Sequence, residues 1–411
     1  MAAEARRRLR RGTIAALIAS FLALAPLAFG GDDVLLLPKA EIPEDRLVDV
    51  AIDLFSPGVS DSPASPLLLK GIRSAVRKSE ARYVPVHLRN TLQSTGQWGA
   101  VRVVPGGAEW AELLVTGAIE KSNGKDLEVR LVARDAAGRV WVERTYKQRA
   151  DTTAYAKDRP VDGRDPFQAL YNRIANDLVR ARDKRKPQEL AEVREVARLR
   201  FAASMAPDPY AAYLDTGKKG RARVERLPAV DDPLMARISA IGERDQMFVD
   251  TLNEYYADFY ARMDKPYDDW RAYSYTEQVA LDSINRASTL KKILGGIAIV
   301  AGVVMSQGDN SPGGIEDILV LGGIAAVQSG FEGAKEGGIH KAALTELADS
   351  FEGEVTPLLV DVDGKVVQLT GSAEQQFTKW RQLLQEIAAT DQPLPADINL
   401  VPMAPSETVQ P

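Results

Sequence analysis

Alternating apolar and polar positions predict that the first part of the chain is rich in β-strands. Residues 48–55 alternate in this way and predict one strand. The period-two pattern returns in several short runs within 101–145. Turn residues at 122–124 (Ser-Asn-Gly) and at 135–138 (Asp-Ala-Ala-Gly) separate these runs, so the sequence predicts a meander of strands joined by hairpins.

Helical periodicity interrupts the strands once in this region. Apolar residues at spacings of three and four predict one helix over 66–80 and a second over 85–94, with Gly96 ending the second. The order is therefore strand, helices, strand and then meander. Residues 45–150 predict a small mixed-sheet α/β sandwich domain with helices on one face of the sheet. The fold class expected for the whole chain is α+β.

Residues 165–290 predict a helical domain, whose strongest pattern lies between 234 and 259. Apolar residues there alternate at four and three positions, with Asp245 as a polar break, and Asp231-Asp232 before Pro233 is expected to cap the helix. The favoured interpretation is packing inside the chain's own helical bundle, and the alternative is an oligomer seam. The seam residues are Leu234, Ile238, Ile241, Phe248, Leu252, Tyr255 and Phe259.

A glycine-rich apolar stretch follows at 291–350. Residues 293–305 and 318–327 carry no charge, and small residues recur every four positions in both arms. Such stripes allow close approach of another backbone, so the sequence predicts a tight antiparallel helical hairpin. The hairpin is expected to be buried between helices or subunits, with shallow insertion into a membrane as the alternative. The stripe consists of Ala298, Gly302, Ser306, Gly322, Ala326, Gly330, Ala334 and Gly338.

The end of the chain predicts a small cap followed by a tail. Residues 351–390 read as a β-hairpin turning at 361–364 and a final helix that begins at Ser372. Residues 391–411 are rich in proline and are expected to be disordered.

The amino terminus has the layout of a secretory signal peptide over 1–30. Five arginines precede an uncharged apolar run from Thr13 to Phe29, and Ala28 and Gly30 form a small-residue cleavage site. We expect cleavage after Gly30, with retention as an anchor helix as the alternative. The expected location is the periplasm, peripheral to the outer membrane.

Composition narrows the chemistry. The 411 residues contain no cysteine and two histidines, His87 and His340, which excludes thiolate metal sites, cysteine nucleophiles and histidine-rich metal centres. Removing residues 1–30 takes away five arginines and one glutamate, so the formal net charge changes from −5 to −9. A chain this acidic is not expected to bind nucleic acid. We expect no catalytic residues, no metal, no cofactor and structural roles for both histidines.

One region resembles a known family. The run from Leu88 to Val101, followed by 114–119, 127–131 and 135–140, resembles the passage from helix to strands in the TolB amino-terminal domain. Similar domains occur in the curli secretion protein CsgG and in the penicillin-binding-protein activator LpoB. The resemblance implies a cell-envelope setting and a role in binding or assembly. This chain lacks the lipid-acceptor cysteine of many family members, and no TolB propeller follows.

The function expected from the sequence is non-enzymatic: assembly, scaffolding or regulation of an envelope complex through protein contacts. The expected partners are envelope proteins and further copies of the chain, with contact to peptidoglycan or to a membrane surface as alternatives. One alternative function is an oligomeric secretion or pore component that engages lipid through the glycine-rich hairpin. The other is an enzyme acting on cell-wall glycan through acids such as Asp231, Asp232 or Glu243.

Overall fold

The computed structural model describes residues 33–58, 67–156, 165–217, 220–302, 358–362, 365–389 and 400–402. It confirms the α+β class: a five-stranded mixed sheet is followed by helices and a carboxy-terminal unit of strands and a helix. The strands of the main sheet are β1 (Val50–Asp53), β2 (Val101–Val104), β3 (Leu113–Ser122), β4 (Asp126–Asp135) and β5 (Val140–Arg149).

The main sheet has the order β2-β1-β3-β4-β5. Strand β1 lies parallel to both β2 and β3, whereas β3, β4 and β5 form the antiparallel meander that the turn residues predict. Along β4, alternate side chains from Leu127 to Ala133 are fully buried, while Arg130 and Arg134 between and beyond them are exposed. This period of two is the pattern of a sheet that packs helices on one face.

The helices that follow are long. Helix α1 spans Leu67–Ser94, α2 Gln168–Asp183, α3 Pro187–Met205, the one-turn α4 Pro207–Tyr210 and α5 Pro233–Gly302. A two-stranded hairpin, β6 (Leu214–Thr216) and β7 (Ala222–Val224), lies between α4 and α5. Buried side chains of α1 and α2, among them Leu88 and Ile174, pack against Val50 and Ile52 of β1 in one core cluster.

A second core cluster joins the helices to the β1–β2 edge of the sheet. It includes Ala51 of β1 and Val104 of β2, together with residues of α3, α5 and the last helix. In this cluster Trp380 stacks on Phe248 of α5 with ring centroids 4.9 Å apart. The two clusters therefore connect the sheet domain and the helical part through buried apolar contacts.

The prediction of two helices at 66–80 and 85–94 is wrong, because α1 is continuous and contains Pro85. Proline has no N–H to donate to the carbonyl four residues earlier, which is that of Ala81. The Phe55 N–H donates to this carbonyl instead, at 3.0 Å. The acceptor that proline leaves free is thus satisfied from a neighbouring segment, so the helix does not need to end.

The boundary expected at 290–291 does not coincide with the end of a helix. Helix α5 runs for 70 residues and passes through this point into the glycine-rich stretch as far as Gly302. At a rise of about 1.5 Å per residue it is roughly 105 Å long. The helical middle and the first arm of the predicted hairpin are therefore one element.

The carboxy-terminal unit contains the predicted β-hairpin and helix. Strands β8 (Leu358–Val362) and β9 (Lys365–Leu369) are antiparallel, and helix α6 spans Ala373–Ala389. Ser372 caps α6, because its Oγ accepts from the Gln375 N–H at 3.3 Å while Gln375 Oε1 accepts from the Ser372 N–H at 3.1 Å.

The expectation that the whole of 391–411 is disordered is wrong at one place. Strand β10 (Leu400–Pro402) pairs antiparallel with β8 in a three-stranded sheet. Leu400 and Val401 are apolar residues suited to a strand. The run is short and is surrounded by prolines, so the composition of the tail predicts disorder instead. The rest of this tail lies outside the described residues.

Candidate functional site

Helix α5 places the predicted seam inside the chain's own fold. Ile238, Ile241, Phe248, Leu252 and Phe259 are at most 1% exposed and belong to the second core cluster. Leu234 and Tyr255 are half-buried against the same cluster. The stripe therefore packs within the chain's own helical bundle, as the favoured interpretation expects. Its apolar side chains are covered by other residues of the second core cluster.

Asp245, the polar break in this stripe, has partners on α6. Its carboxylate accepts from Trp380 Nε1 at 3.1 Å and from an Arg381 guanidinium nitrogen at 2.8 Å. Burial raises the pKa of Asp245, although the Arg381 charge opposes the shift. The break is thus a buried charge whose partner comes from the end of the chain, and it joins α5 to α6.

A network of buried polar side chains joins α5 to α1 and to the sheet. Glu80 of α1 is fully buried and accepts from Tyr267 Oη at 2.7 Å and from the Ser122 hydroxyl. Burial raises the pKa of Glu80, with Arg77 as the largest opposing charge. The tyrosine-rich part of α5 therefore contributes to the interior here.

His87 of α1 lies beside this polar network, one helical turn beyond Tyr83. Its Nδ1 is 2.7 Å from Tyr260 Oη and its Nε2 is 2.8 Å from Gln168 Oε1. Both ring nitrogens have protein partners, and the ring packs against that of Tyr171 at an interplanar angle of 43°, with centroids 4.2 Å apart. This environment fits the expected structural role, whereas His340 lies outside the described residues.

The contacts of α5 with the segment before α2 and with the β3–β4 hairpin continue well along the helix. Arg271 pairs with Asp165, the Asn123 side-chain amide donates to Gln278 Oε1 at 3.2 Å, and Lys125 pairs with Asp282. Beyond Asp282 the helix extends another 20 residues to Gly302, roughly 30 Å. The first domain therefore fixes the direction in which α5 carries the glycine-rich stretch.

Two residues of the predicted glycine-rich stripe fall within α5. Ala298 and Gly302 are four residues apart in the helix and therefore lie on the same face. The other stripe residues lie outside the described part of the chain: Ser306, Gly322, Ala326, Gly330, Ala334 and Gly338.

The acids weighed for glycan cleavage do not form a pair. Asp232 caps α5, accepting from the N–H groups of Leu234 at 3.0 Å and Met235 at 3.2 Å, and also accepts from the Tyr210 hydroxyl. Glu243 lies three helical turns further on, roughly 16 Å along the axis. Paired glycosidase carboxylates are about 5 to 10 Å apart, so Asp232 and Glu243 do not have that arrangement.

Glu243 instead lines a cavity that the sequence does not reveal. The cavity has a volume of about 290 Å³ and lies between α3, α5 and the residues that precede β1 and β3. Its polar lining includes Asp49, Trp110, Glu112, Arg194, Arg198 and Glu243. These residues are distant in sequence. The only sequence signal for the cavity is the helical spacing of its lining positions on α5, between 235 and 246.

Glu112 is the most perturbed acid of this cavity. Burial raises its pKa to about 7, Asp49 adds to the shift and Arg194 opposes it. The Arg194 guanidinium is 3.3 Å from the Glu112 carboxylate, which also accepts from the Asp49 N–H. A carboxyl group that titrates near neutral pH within a cavity is a candidate binding or proton-transfer group.

Two searches over the described part of the chain give negative results. Within the described ranges, no group of three or more His, Asp or Glu side chains is arranged to hold a metal ion. None of the described helices combines the length and apolar composition needed to cross a membrane.

Comparison with known proteins gives no match: no family model, no curated protein and no solved structure is similar to this chain. The likeness of residues 45–150 to the TolB amino-terminal domain therefore stays a prediction from the sequence.

Proposed function

We propose that this protein is an exported, non-enzymatic component of the bacterial cell envelope that assembles or regulates a complex through protein contacts. One observation carries the proposal: α5 connects a fold that holds it through buried polar contacts to the apolar, glycine-rich stretch. Such an element presents an interaction segment at a fixed distance and direction from a folded body.

Specific polar contacts, in addition to apolar packing, hold α5 against the sheet. In the first third of the helix, Asn253 Oδ1 accepts from the Val103 N–H at 2.8 Å and its Nδ2 donates to the Val103 carbonyl at 2.9 Å. Further contacts continue to Asp282, which covers roughly 45 Å of helix. Because each buried polar contact has one correct partner, these contacts favour a single register of α5 against the sheet.

The glycine-rich stretch supplies the contact surface in this proposal. Ala298 and Gly302 share one face of α5, and the pattern of small residues continues along the sequence to Gly338. Each glycine in a helix costs about 1 kcal/mol relative to alanine. Close packing of another helix offsets this cost through dense contacts between backbones. The partner helices come from envelope proteins and from further copies of the chain.

The envelope setting rests on the amino terminus. The arginine-rich start, the apolar run and the Ala28–Gly30 site support export, and the absence of cysteine is compatible with an oxidising compartment. Isolation of the protein from cell fractions with an amino terminus at Gly31 would support this part. A cytosolic chain that still begins at Met1 would contradict it.

The lack of cysteine makes the assembly proposal directly testable. An Ala298→Cys variant carries one thiol, on the small-residue face of α5. We expect oxidation to produce a covalent dimer of the chain. The control is Val230→Cys, a fully exposed position before α5, which should form no covalent dimer under the same oxidation. Equal cross-linking of both variants, or of neither, would contradict packing on this face.

Shallow membrane contact is the second candidate, favoured by the absence of charge over 293–305. Flotation with lipid vesicles distinguishes the two. Flotation that is lost on Ile299→Glu would support the membrane role, whereas a protein that stays with the soluble fraction and still cross-links through Ala298→Cys would support assembly.

A further inference from the structure

The cavity between α3 and α5 is built from two facing helical stripes. On α5, Met235, Ile238 and Gly242 recur at spacings of three and four, so they lie on the side of the helix that faces α3, and Glu243 lines the cavity beside them. Gly242 is important for this shape, since a Cβ at this position would lie 3.1 Å from the Phe201 ring. The absence of a side chain there allows α3 and α5 to approach while a cavity remains beside them.

The lining contains both signs of charge and an apolar side. Glu243 and Asp49 are acidic, Arg198 is basic, and the apolar side is formed by Phe201, Met235 and Ile238. The volume of about 290 Å³ is at the small end of the ~300–1,000 Å³ that is usual for ligand pockets. A ligand of this site is therefore a small molecule with both polar and apolar parts.

Two polar groups of the lining have no partner among the described residues. Trp110 is 7% exposed, and its indole N–H is buried without an acceptor there. This nitrogen is fully buried, so a ligand in the cavity meets the side of the Trp110 ring and not its N–H. Glu243 is exposed at the cavity and forms neither an ion pair nor a hydrogen bond within the described ranges. The site thus has a free anion on its α5 side.

The two arginines that line the cavity each have an acidic partner. Arg194 is paired with Glu112, and its guanidinium also donates to the carbonyls of residues that precede β1, Asp45 at 3.0 Å among them. Among the residues that the structure describes, Arg198 has only an exposed pair with Glu195, one helical turn away. Exposed pairs of this kind contribute little, so Arg198 can exchange Glu195 for a ligand anion.

We propose that this cavity binds a small zwitterion of the amino-acid type. Its ammonium group pairs with Glu243, and its carboxylate pairs with Arg198. Its apolar side chain packs on Phe201, Met235 and Ile238. The site is independent of the glycine-rich stretch, so it adds a ligand-binding function to the proposed assembly role.

The test uses leucine and two analogues that each lack one charge: isoamylamine, which has the ammonium only, and 4-methylpentanoate, which has the carboxylate only. The readout is the indole N–H spectrum of the full chain, whose five tryptophans give five resonances. Trp110→Phe assigns the resonance of Trp110. We expect leucine to move this resonance and to bind at least tenfold more tightly than either analogue.

Variants on α5 locate the ammonium contact. Glu243→Gln should weaken leucine binding about tenfold or more, which corresponds to about 1.4 kcal/mol. Glu254→Gln is the matched control, an exposed acid three helical turns further along α5 and outside the cavity, and should bind as the wild type does. Ser239→Leu, an exposed position that lines the cavity, should block binding without affecting the core.

Three outcomes would overturn the proposal. In the first, leucine leaves the Trp110 resonance unmoved up to about 10 mM. In the second, one of the singly charged analogues binds as tightly as leucine. In the third, Glu243→Gln and Glu254→Gln bind leucine equally. None of these outcomes bears on cross-linking through Ala298→Cys, so the two proposals can fail separately.

Discussion

Arg271 of α5 and Asp165 at the start of α2 form a buried ion pair of 2.7 Å, with side chains only 3% and 5% exposed. Asp165 Oδ1 also accepts from the Phe167 N–H at 2.8 Å, so one carboxylate both starts α2 and holds α5. Burial alone would raise the pKa of Asp165, but Arg271 and then His87 outweigh it and lower the pKa. The pair thus couples the direction of α5 to the position of α2.

Removing one member of this pair should be strongly destabilising. Arg271→Met leaves Asp165 charged and buried, and we expect the free energy of unfolding to fall by about 3–5 kcal/mol in chemical denaturation. The control on the same helix is Lys265→Met, because Lys265 and Asp269 form an exposed pair that should contribute less than ~0.5 kcal/mol. Similar losses for both variants would show that burial of the pair is unimportant.

The same pair predicts sensitivity to acid. The pKa of Asp165 is lower in the folded chain than its ordinary value of 3.8, so its contribution is present above pH 3.8 and is lost as the pH falls below it. Asp165→Asn should therefore show a weaker loss of stability between about pH 4 and pH 2 than the wild type. Parallel acid-unfolding curves for the two proteins would contradict this assignment.

Gly124 tests the close approach of the β3–β4 hairpin to α5. It has a φ of +74°, and a Cβ there would lie 2.2 Å from the Arg271 carbonyl oxygen and 2.8 Å from the Tyr275 nitrogen. Gly124→Ala should therefore destabilise the protein through both strain and a clash with the helix backbone, by about 2–4 kcal/mol.

Gly96 is the matched control for this prediction. Its φ of +62° is similar, but nothing lies within 4 Å of a Cβ at that position. Gly96→Ala should cost only the strain of the left-handed conformation, about 1 kcal/mol. Thermal unfolding of the two variants compares them. Equal losses would indicate that α5 does not approach the hairpin as closely as described.

Glu112 predicts a dependence of stability on pH near neutrality. Its pKa is raised in the folded chain from 4.5 to about 7. Between these values the folded state holds a proton that the unfolded state releases, so the free energy of unfolding decreases as the pH rises. The change across this window is at most about 3 kcal/mol.

Glu112→Gln should remove this part of the pH dependence. Denaturant unfolding at pH 5 and at pH 8 measures it, and the wild type should lose up to about 2–3 kcal/mol more than Glu112→Gln between the two. Glu254→Gln should retain the wild-type slope, since Glu254 is exposed on α5. An unchanged slope in Glu112→Gln would assign the titration to another group.

The sequence predicts the sheet and the helices well where periodicity decides them. Alternation along Leu127 to Ala133 identifies β4 and its buried face, and the heptad pattern identifies the buried face of α5. In both cases the pattern arises from the burial that forms the element. The capping residues Asp232 and Ser372 are likewise local, and both act as caps.

Other features depend on partners that are distant in sequence. Pro85 is a helix breaker by local rules, but α1 continues because Phe55 donates to Ala81. The cavity escapes prediction because Trp110, Glu112 and Glu243 are ordinary residues until the fold brings them together. Sequence reasoning considered Glu243 only as a catalytic acid beside Asp231 and Asp232, and the structure gives it different neighbours.

The central claim is that the glycine-rich stretch carried by α5 assembles the protein, and the molar mass in solution tests it most directly. Light scattering of the purified exported protein should give a multiple of its single-chain mass, which is the 44.8 kDa of the full sequence less the mass of residues 1–30. Gly302→Leu, which places a large side chain on the small-residue face, should reduce the mass to that of a single chain. The control is Gly217→Leu, at a position where a Cβ would meet nothing closer than 3.7 Å, and it should leave the assembly intact. A wild-type protein of single-chain mass, or an unchanged assembly in Gly302→Leu, would contradict the account.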